Sequence, residues 1–133
     1  MLNRRDQKQQ ILVVDDDSSC RDSLVEFFQR EGFRVQFASC GPEAMALLRV
    51  ERVDFSVMDV HMPGMTGPEV LRKLAEERGI PGVPPTVLTS SDRAAEEMAR
   101  ALCDLQVSFI PKPIRLDALR RTVEKLLQDP WKD

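Results

Sequence analysis

Short apolar runs alternate with longer stretches in which apolar residues return every three or four positions, from Ile11 as far as Leu126. The first run is Ile11 to Val14, and Leu24, Phe27 and Phe28 then share one face of a predicted helix. Ser19 with Asp22 three residues on has the spacing of a capping box at its start, and Gly32 ends it. Val35 and Phe37 alternate as a second strand, after which Pro42 suits a first helical position and Ala44, Leu47 and Leu48 form a face. Phe55 to Met58 is the third strand, and Val70, Leu71 and Leu74 line a third helix ending near Gly79. The segment "GIPGVPP", residues 79 to 85, is too short for a domain linker and reads as a rigid connection. Thr86 to Leu88 is the fourth strand, Met98, Ala99 and Leu102 mark the fourth helix, and Ser108 to Ile110 is the fifth strand. Leu116, Leu119, Val123 and Leu126 place the last helix, ending just before Pro130.

Such β/α alternation is the pattern of an α/β fold built on a parallel sheet. The 133 residues are expected to form a single domain, with a core over about residues 10 to 128 and short polar tails. No apolar stretch reaches the roughly 18 residues that span a bilayer, and "MLNRRDQKQQ" lacks the apolar segment of a secretory signal, so the expectation is a cytoplasmic protein. A net charge of -3 offers no basic excess for nucleic acid or anionic lipid, and neither is expected as a direct ligand. Cys20, Cys40 and Cys103 have no disulfide or zinc spacing and read as buried thiols. Absence of Tyr and a lone Trp131 leave little aromatic surface to stack a flavin or a base.

In an open doubly wound sheet, ligands bind beyond the carboxyl ends of the strands. Asp15, Asp16 and Asp17 follow strand one, Asp59 ends strand three, Thr89 and Ser90 follow strand four, and Lys112 follows strand five, so all should gather at one edge. Each has an ordinary alternative: the aspartates as strand ends and helix caps, Ser91 as the N-cap of helix four, Lys112 as a solvated ammonium. Taken independently, those alternatives do not account for convergence. Two unit charges about 4 Å apart repel by roughly 4 kcal/mol at an effective dielectric near 20, so packed carboxylates call for a cation. Hard oxygen ligands suit Mg2+, and a carboxylate beside it can act as a nucleophile toward phosphorus, with a lysine stabilising the charge that moves.

The segments "ILVVDDD", "VMDVHMPGMTG", "VLTSS" and "FIPKP" together resemble the receiver domain of two-component response regulators, over nearly the whole chain. The resemblance implies a flavodoxin-like (βα)5 fold, a doubly wound parallel five-stranded sheet of order 2-1-3-4-5. By position, Asp59 resembles the phosphoacceptor and Asp15 and Asp16 the acidic pair holding Mg2+, for which Mn2+ can substitute. Asp17 then mainly starts the following loop. His61 matches the position that lends the metal its backbone carbonyl, with its side chain free to affect access of hydrolytic water. Thr89 resembles the switch hydroxyl, Lys112 the site lysine, and Pro113 a proline joined by a cis peptide. Ser90 and Ser91 fall in the switch loop, Ser91 where residues influence phosphoryl lifetime. Phe109 matches the aromatic switch position, or is an alternating core residue of strand five. The sequence departs from the family at Thr66, where Asp or Asn is usual, and in "CDLQVSF", which lacks the common Gly-Ala before strand five.

The function this implies is a switch, not a turnover enzyme: a histidine kinase or phosphotransfer protein phosphorylates Asp59, and a face made by helix four, strand five and helix five then engages a downstream protein or effector domain. A phosphorylation-linked homodimer is compatible with it. Arg115, Arg120, Arg121 and Lys125 on helix five read as a solvated face. Three competitors stand beside the switch: a pseudo-receiver that only binds, a small phosphatase using an aspartate nucleophile, and a flavodoxin-type electron carrier. The last two are weakened by the missing cap domain and by the missing phosphate-cradling loop after strand one.

Overall fold

A computed structural model describes residues 8–127. Five strands, β1 (Gln10–Val14), β2 (Arg34–Ala38), β3 (Phe55–Asp59), β4 (Thr86–Ser90) and β5 (Val107–Pro111), form one sheet in the order β2-β1-β3-β4-β5, each pairing parallel to its neighbour. The helices are α1 (Ser18–Arg30), α2 (Gly41–Val50), α3 (Gly67–Arg78), α4 (Ala95–Arg100) and α5 (Leu116–Leu126), with a single 3-10 turn at Ile80–Gly82. The expected architecture and strand order are therefore those observed.

Two apolar layers flank the sheet, because the central strands are covered on both faces. One layer joins Leu12, Val14, Met58 and Leu88 to Leu48 of α2 and to Leu71 and Leu74 of α3. The other joins Ile11, Val13, Phe55 and Val57 to Leu24 and Phe28 of α1 and to Leu119 and Val123 of α5. Strands covered twice read as continuous apolar runs, which is why β1 is "ILVV" without alternation. Those runs end where the layers end, leaving the polar strand termini at one edge.

Several local expectations are corrected. Helix α1 is not opened by a Ser19–Asp22 capping box. Asp17, in extended conformation, is its N-cap and accepts a hydrogen bond from the Ser19 amide, so the carboxylate takes the capping role ahead of Ser19. Val35 and Phe37 do lie on β2 as expected, but β2 is an edge strand and Phe37 is 57% exposed, with the Arg21 guanidinium over its ring. In α4, Met98 is exposed and the small residues Ala95 and Ala99 make the inward contacts, with Leu102 packing from the turn beyond the helix. Leu116 is also exposed, since α5 turns its Leu119–Val123 face to the sheet. Strand three ends on Asp59 as expected, whereas strands four and five run two residues and one residue past the predicted ends, because backbone pairing continues through Ser90 and Pro111. The three cysteines are free thiols, but Cys20 and Cys40 are only half-buried and Cys103 is exposed. Arg120 is not simply solvated, for it pairs with Glu31 and lies over the Phe27 ring. The stretch from 128 to Pro130, where the sequence places the end of the last helix, and Trp131 lie outside the described residues.

The two departures from the family pattern have clear local consequences. Thr66 caps α3 in a complete capping box, its hydroxyl accepting from the Glu69 amide while Glu69 accepts from the Thr66 amide. The segment before β5 is tied to α3 by two hydrogen bonds between the Arg72 guanidinium and the Asp104 carboxylate, at 2.6 and 3.0 Å.

Candidate functional site: an acidic cluster bridged by Lys112

Parallel pairing brings the carboxyl ends of β1, β3, β4 and β5 side by side, and the site is built there. Asp15 follows β1 and is buried; its amide donates to the Ala38 carbonyl, which anchors the acidic turn to the edge of the sheet. Asp59 is the last residue of β3, nearly buried, and in register with Thr89 of β4. One carboxylate oxygen from each of Asp15, Asp16 and Asp59 lies within 4.8 Å of the others, with Asp16 the exposed member.

Lys112 enters from β5's end. Its ammonium donates to Asp15 Oδ2 at 2.9 Å and to Asp59 Oδ2 at 2.8 Å. Its backbone amide donates to the Ser90 carbonyl, and the Lys112–Pro113 peptide is cis. The remaining carboxylate oxygens take main-chain donors: Asp15 Oδ1 accepts from the Asp17 amide at 2.9 Å and Asp59 Oδ1 from the His61 amide at 3.1 Å. Asp17 and His61 thus hold the site by their amides, contacts that no residue-type pattern signals, since every non-proline residue carries an N–H.

Burial and charge together set the protonation of this cluster. Burial pushes the Asp59 carboxyl above its ordinary value, opposed by the Lys112 ammonium and reinforced by Asp15. For Lys112 burial acts to lower the value, but hydrogen bonds and charge from Asp59 and Asp15 outweigh it and hold the ammonium above its ordinary range. The Cys20 thiol is pushed up to about 12 by burial and by Asp15, so it is a neutral thiol at physiological pH. Because the folded state binds the Asp59 proton more tightly than the unfolded chain, the cost of ionising Asp59 is absent below the unfolded value. It sets in as pH rises through that value, near 3.9, and is complete above the raised folded one. Asp59→Asn should therefore raise the urea midpoint in chelator at pH 7, with the gain shrinking toward pH 4. An equal gain at both pH values would show that burial is not what raises the Asp59 carboxyl.

The other predicted residues fall around this centre. Thr89 is buried, and its carbonyl accepts from the Val60 amide. Ser90 is buried, its hydroxyl accepting from the Asp92 amide, while Ser91 is exposed and caps nothing; α4 starts at Ala95 without a side-chain cap. The His61 side chain is exposed at the rim, with Nε2 3.9 Å from Asp92 Oδ2. Phe109 is half-buried, in register with Leu88 and packed against the α2–α3 layer. Pro113 is exposed.

Gly67, at the start of α3, keeps the loop after β3 close. A Cβ there would lie 2.7 Å from the Asp59 carbonyl oxygen and 2.9 Å from Leu88 Cδ2. Both neighbours are fixed, so Gly67→Ala should cost about 1–3 kcal/mol of stability, readable as a lower denaturant midpoint. An unchanged midpoint would mean that the loop yields freely.

Three carboxylates face one ammonium, leaving two negative charges that a divalent cation balances. The donor set is all hard oxygen, the ligand type Mg2+ takes, and the three oxygens lie within 4.8 Å of one another. The residues present therefore fit such an ion.

A doubly wound α/β protein with an acidic cluster and a lysine at the carboxyl edge of its sheet is the class defined by this fold and site. The family described as "Response regulator receiver domain" matches residues 11–124, and the chain belongs to it. Among its relatives, Response regulator MprA of Mycobacterium tuberculosis is 37% identical over 119 residues, covering 89% of this chain and 50% of that protein. The MprA of Mycolicibacterium vanbaalenii is 36% identical over 118 residues, again with 89% and 50% coverage. The chain thus spans about half the length of the curated relatives it matches. A CheY-like receiver domain protein from Methanospirillum hungatei superposes with a TM-score of 0.81 at 26% identity, covering 93% of this chain and 97% of that one. The response regulator TrrA of Thermotoga maritima, solved in complex with Mg2+ and BeF, gives 0.77 at 27% identity, covering 90% and 99%.

Proposed function

We propose that this receiver domain is a phosphorylation switch in which Asp59 takes a phosphoryl group from a sensor histidine kinase or phosphotransfer protein. The observation that carries the proposal is the Lys112 ammonium bonded to both Asp15 and Asp59 inside a three-carboxylate cluster. Asp15, Asp16 and Asp59, with the backbone carbonyl of His61, would hold Mg2+, or Mn2+ in its place. The ion's chemistry there is to neutralise the oxygens of the phosphoryl group in transfer.

The protein's own residues do the rest. An Asp59 carboxylate oxygen attacks the phosphorus of a phosphohistidine; the P–N bond breaks, imidazole leaves, and an acyl phosphate forms on Asp59. Asp59 is a poor base in water but sits held by the His61 amide and Lys112, so its approach is set in advance. The product brings new negative charge beside Lys112 and opposite Thr89, whose hydroxyl donates to a phosphoryl oxygen. Drawing Thr89 inward pulls on the β4–α4 loop and on the space beside Phe109, biasing two pre-existing conformations of the α4–β5–α5 face. That face then engages a downstream protein or effector domain, with a homodimer as one form of the output. Among the described residues no helix is long and apolar enough to cross a membrane; the cytoplasm, where the proposed phosphodonors act, is the proposed location. The domain acts as a single unit that catalyses its own phosphorylation and slow hydrolysis, and does not turn over a free metabolite.

Incubation of the protein with acetyl phosphate, followed by intact-mass analysis with and without Mg2+, tests this directly. A single phosphoryl increment that requires Mg2+ is expected. Lack of any increment, together with no spectral response to Mg2+ and beryllofluoride, leaves a pseudo-receiver that binds without switching. Steady release of phosphate from simple esters would favour the phosphatase reading.

A further inference from the structure

Arg21, in the first turns of α1, reaches back beneath the acidic turn and is mostly buried, with 16% of its side chain exposed. Its Nη1 donates to the backbone carbonyl of Asp15 at 3.2 Å, and its guanidinium lies 5.4 Å from the Phe37 ring centroid. Its Nε is buried without a hydrogen-bond partner, the nearest carboxylate oxygen being Asp22 Oδ1 at 3.9 Å. A buried N–H left unpaired costs about 1–3 kcal/mol, so this placement is not one that stability alone selects.

What the guanidinium holds is the peptide between Asp15 and Asp16. The other carboxylates of the cluster are aimed by side-chain bonds: Asp15 by Lys112 and the Asp17 amide, Asp59 by Lys112 and the His61 amide. Asp16 is exposed, and among the described residues no hydrogen bond holds its carboxylate. Its direction therefore follows from its backbone, that is, from the plane of the preceding peptide, whose carbonyl Arg21 grips. We infer that Arg21 is a positioning residue for the cation site: by bonding the Asp15 carbonyl it aims Asp16 into the cluster. The inference rests on the proposed Mg2+ reading of that cluster.

Electrostatics alone makes the opposite prediction. Arg21 is a fixed positive charge close to the acidic turn, and removing it should tighten the binding of any cation. Loss of an outer hydrogen bond that orients a metal ligand instead weakens binding, typically by 10- to 100-fold. The sign of the change separates the two.

The experiment is calorimetric titration of the full chain with MgCl2, comparing wild type, Arg21→Met and Arg21→Lys, with thermal unfolding to confirm that each is folded at the titration temperature. Met keeps an apolar stem over Phe37 but neither charge nor donor, whereas Lys keeps a donor that reaches the carbonyl. Arg21→Met should weaken Mg2+ binding about tenfold, and Arg21→Lys should recover most of the loss. At saturating Mg2+, phosphorylation of Arg21→Met by acetyl phosphate should return to the wild-type rate. Binding in Arg21→Met as tight as wild type or tighter overturns the positioning role, as does a rate that stays depressed at saturating Mg2+. Should Arg21→Met fail to fold, Arg21→Lys decides through backbone amide NMR shifts of residues 15 to 17: wild-type-like shifts with wild-type-like affinity support the role, and altered shifts with unchanged affinity overturn it. A wild type that does not bind Mg2+ removes the metal reading itself, an outcome distinct from a failure of Arg21 alone.

Discussion

Asp59→Asn should remain folded and take up no phosphoryl group from acetyl phosphate under conditions where the wild type is fully converted. The amide keeps the shape of the side chain, and its oxygen can still accept from the His61 amide or Lys112, so the packing around β3 is preserved. What it loses is the anionic oxygen proposed to attack phosphorus, and no neighbouring group replaces it: Asp15 is tied by Lys112 and the Asp17 amide, and Thr89 is a neutral hydroxyl. Intact mass and the thermal transition, measured on the same sample, check both halves of the statement. A phosphoryl increment of wild-type yield on the mutant would move the acceptor to another residue. Unfolding of the mutant would contradict the view that ionising this buried carboxylate costs stability in the metal-free state.

Asp16→Asn should weaken Mg2+ binding at least tenfold, or about 1.4 kcal/mol, while leaving stability in chelator almost unchanged. Asp16 is the exposed member of the cluster, so neutralising it leaves no buried group without a partner. Replacing Asp15 is a less clean experiment. Asp15 is buried, accepts from Lys112, and is wired through its amide to Ala38, so Asp15→Asn perturbs both the ion site and the fold. Calorimetric titration with MgCl2, paired with urea unfolding, separates the two. If Asp16→Asn binds Mg2+ like wild type, the third oxygen of the site comes from elsewhere.

Much of this molecule is legible in its sequence. Alternation of short apolar runs with helical periodicity reports on strands covered on both faces and helices covered on one, and burial enforces that pattern wherever it occurs. The aspartates after β1 and β3, Thr89 after β4 and Lys112 after β5 are placed together by a rule of topology, because parallel strands all end at the same edge. Phe37, Met98 and Leu116 depart from expectation for one reason: an apolar side chain says that burial is favourable, not that a neighbour is near. Phe37 stands on the outermost strand with Arg21 over it, and α4 is so short that two alanines and a leucine beyond its end suffice. The Ser19–Asp22 capping box fails for a different cause, since Asp17 takes the Ser19 amide that Asp22 would have accepted from.

The linear order of residues determined the fold class, the strand order through family resemblance, and the identity of the charged residues that meet. It determined these because hydrophobic periodicity and strand-end position are local properties, carried by spacing along the chain. Contacts between residues far apart were decided by the folded chain: Lys112 bonded to Asp15 and Asp59 at once, Arg21 on the Asp15 carbonyl, Arg72 clasping Asp104. So was the work done by the amides of Asp17 and His61, and the tight fit of Gly67 against Asp59. Each depends on distances of a few ångströms between separate segments. Packing of two apolar layers against one twisted sheet sets those distances, and no spacing along the sequence encodes them.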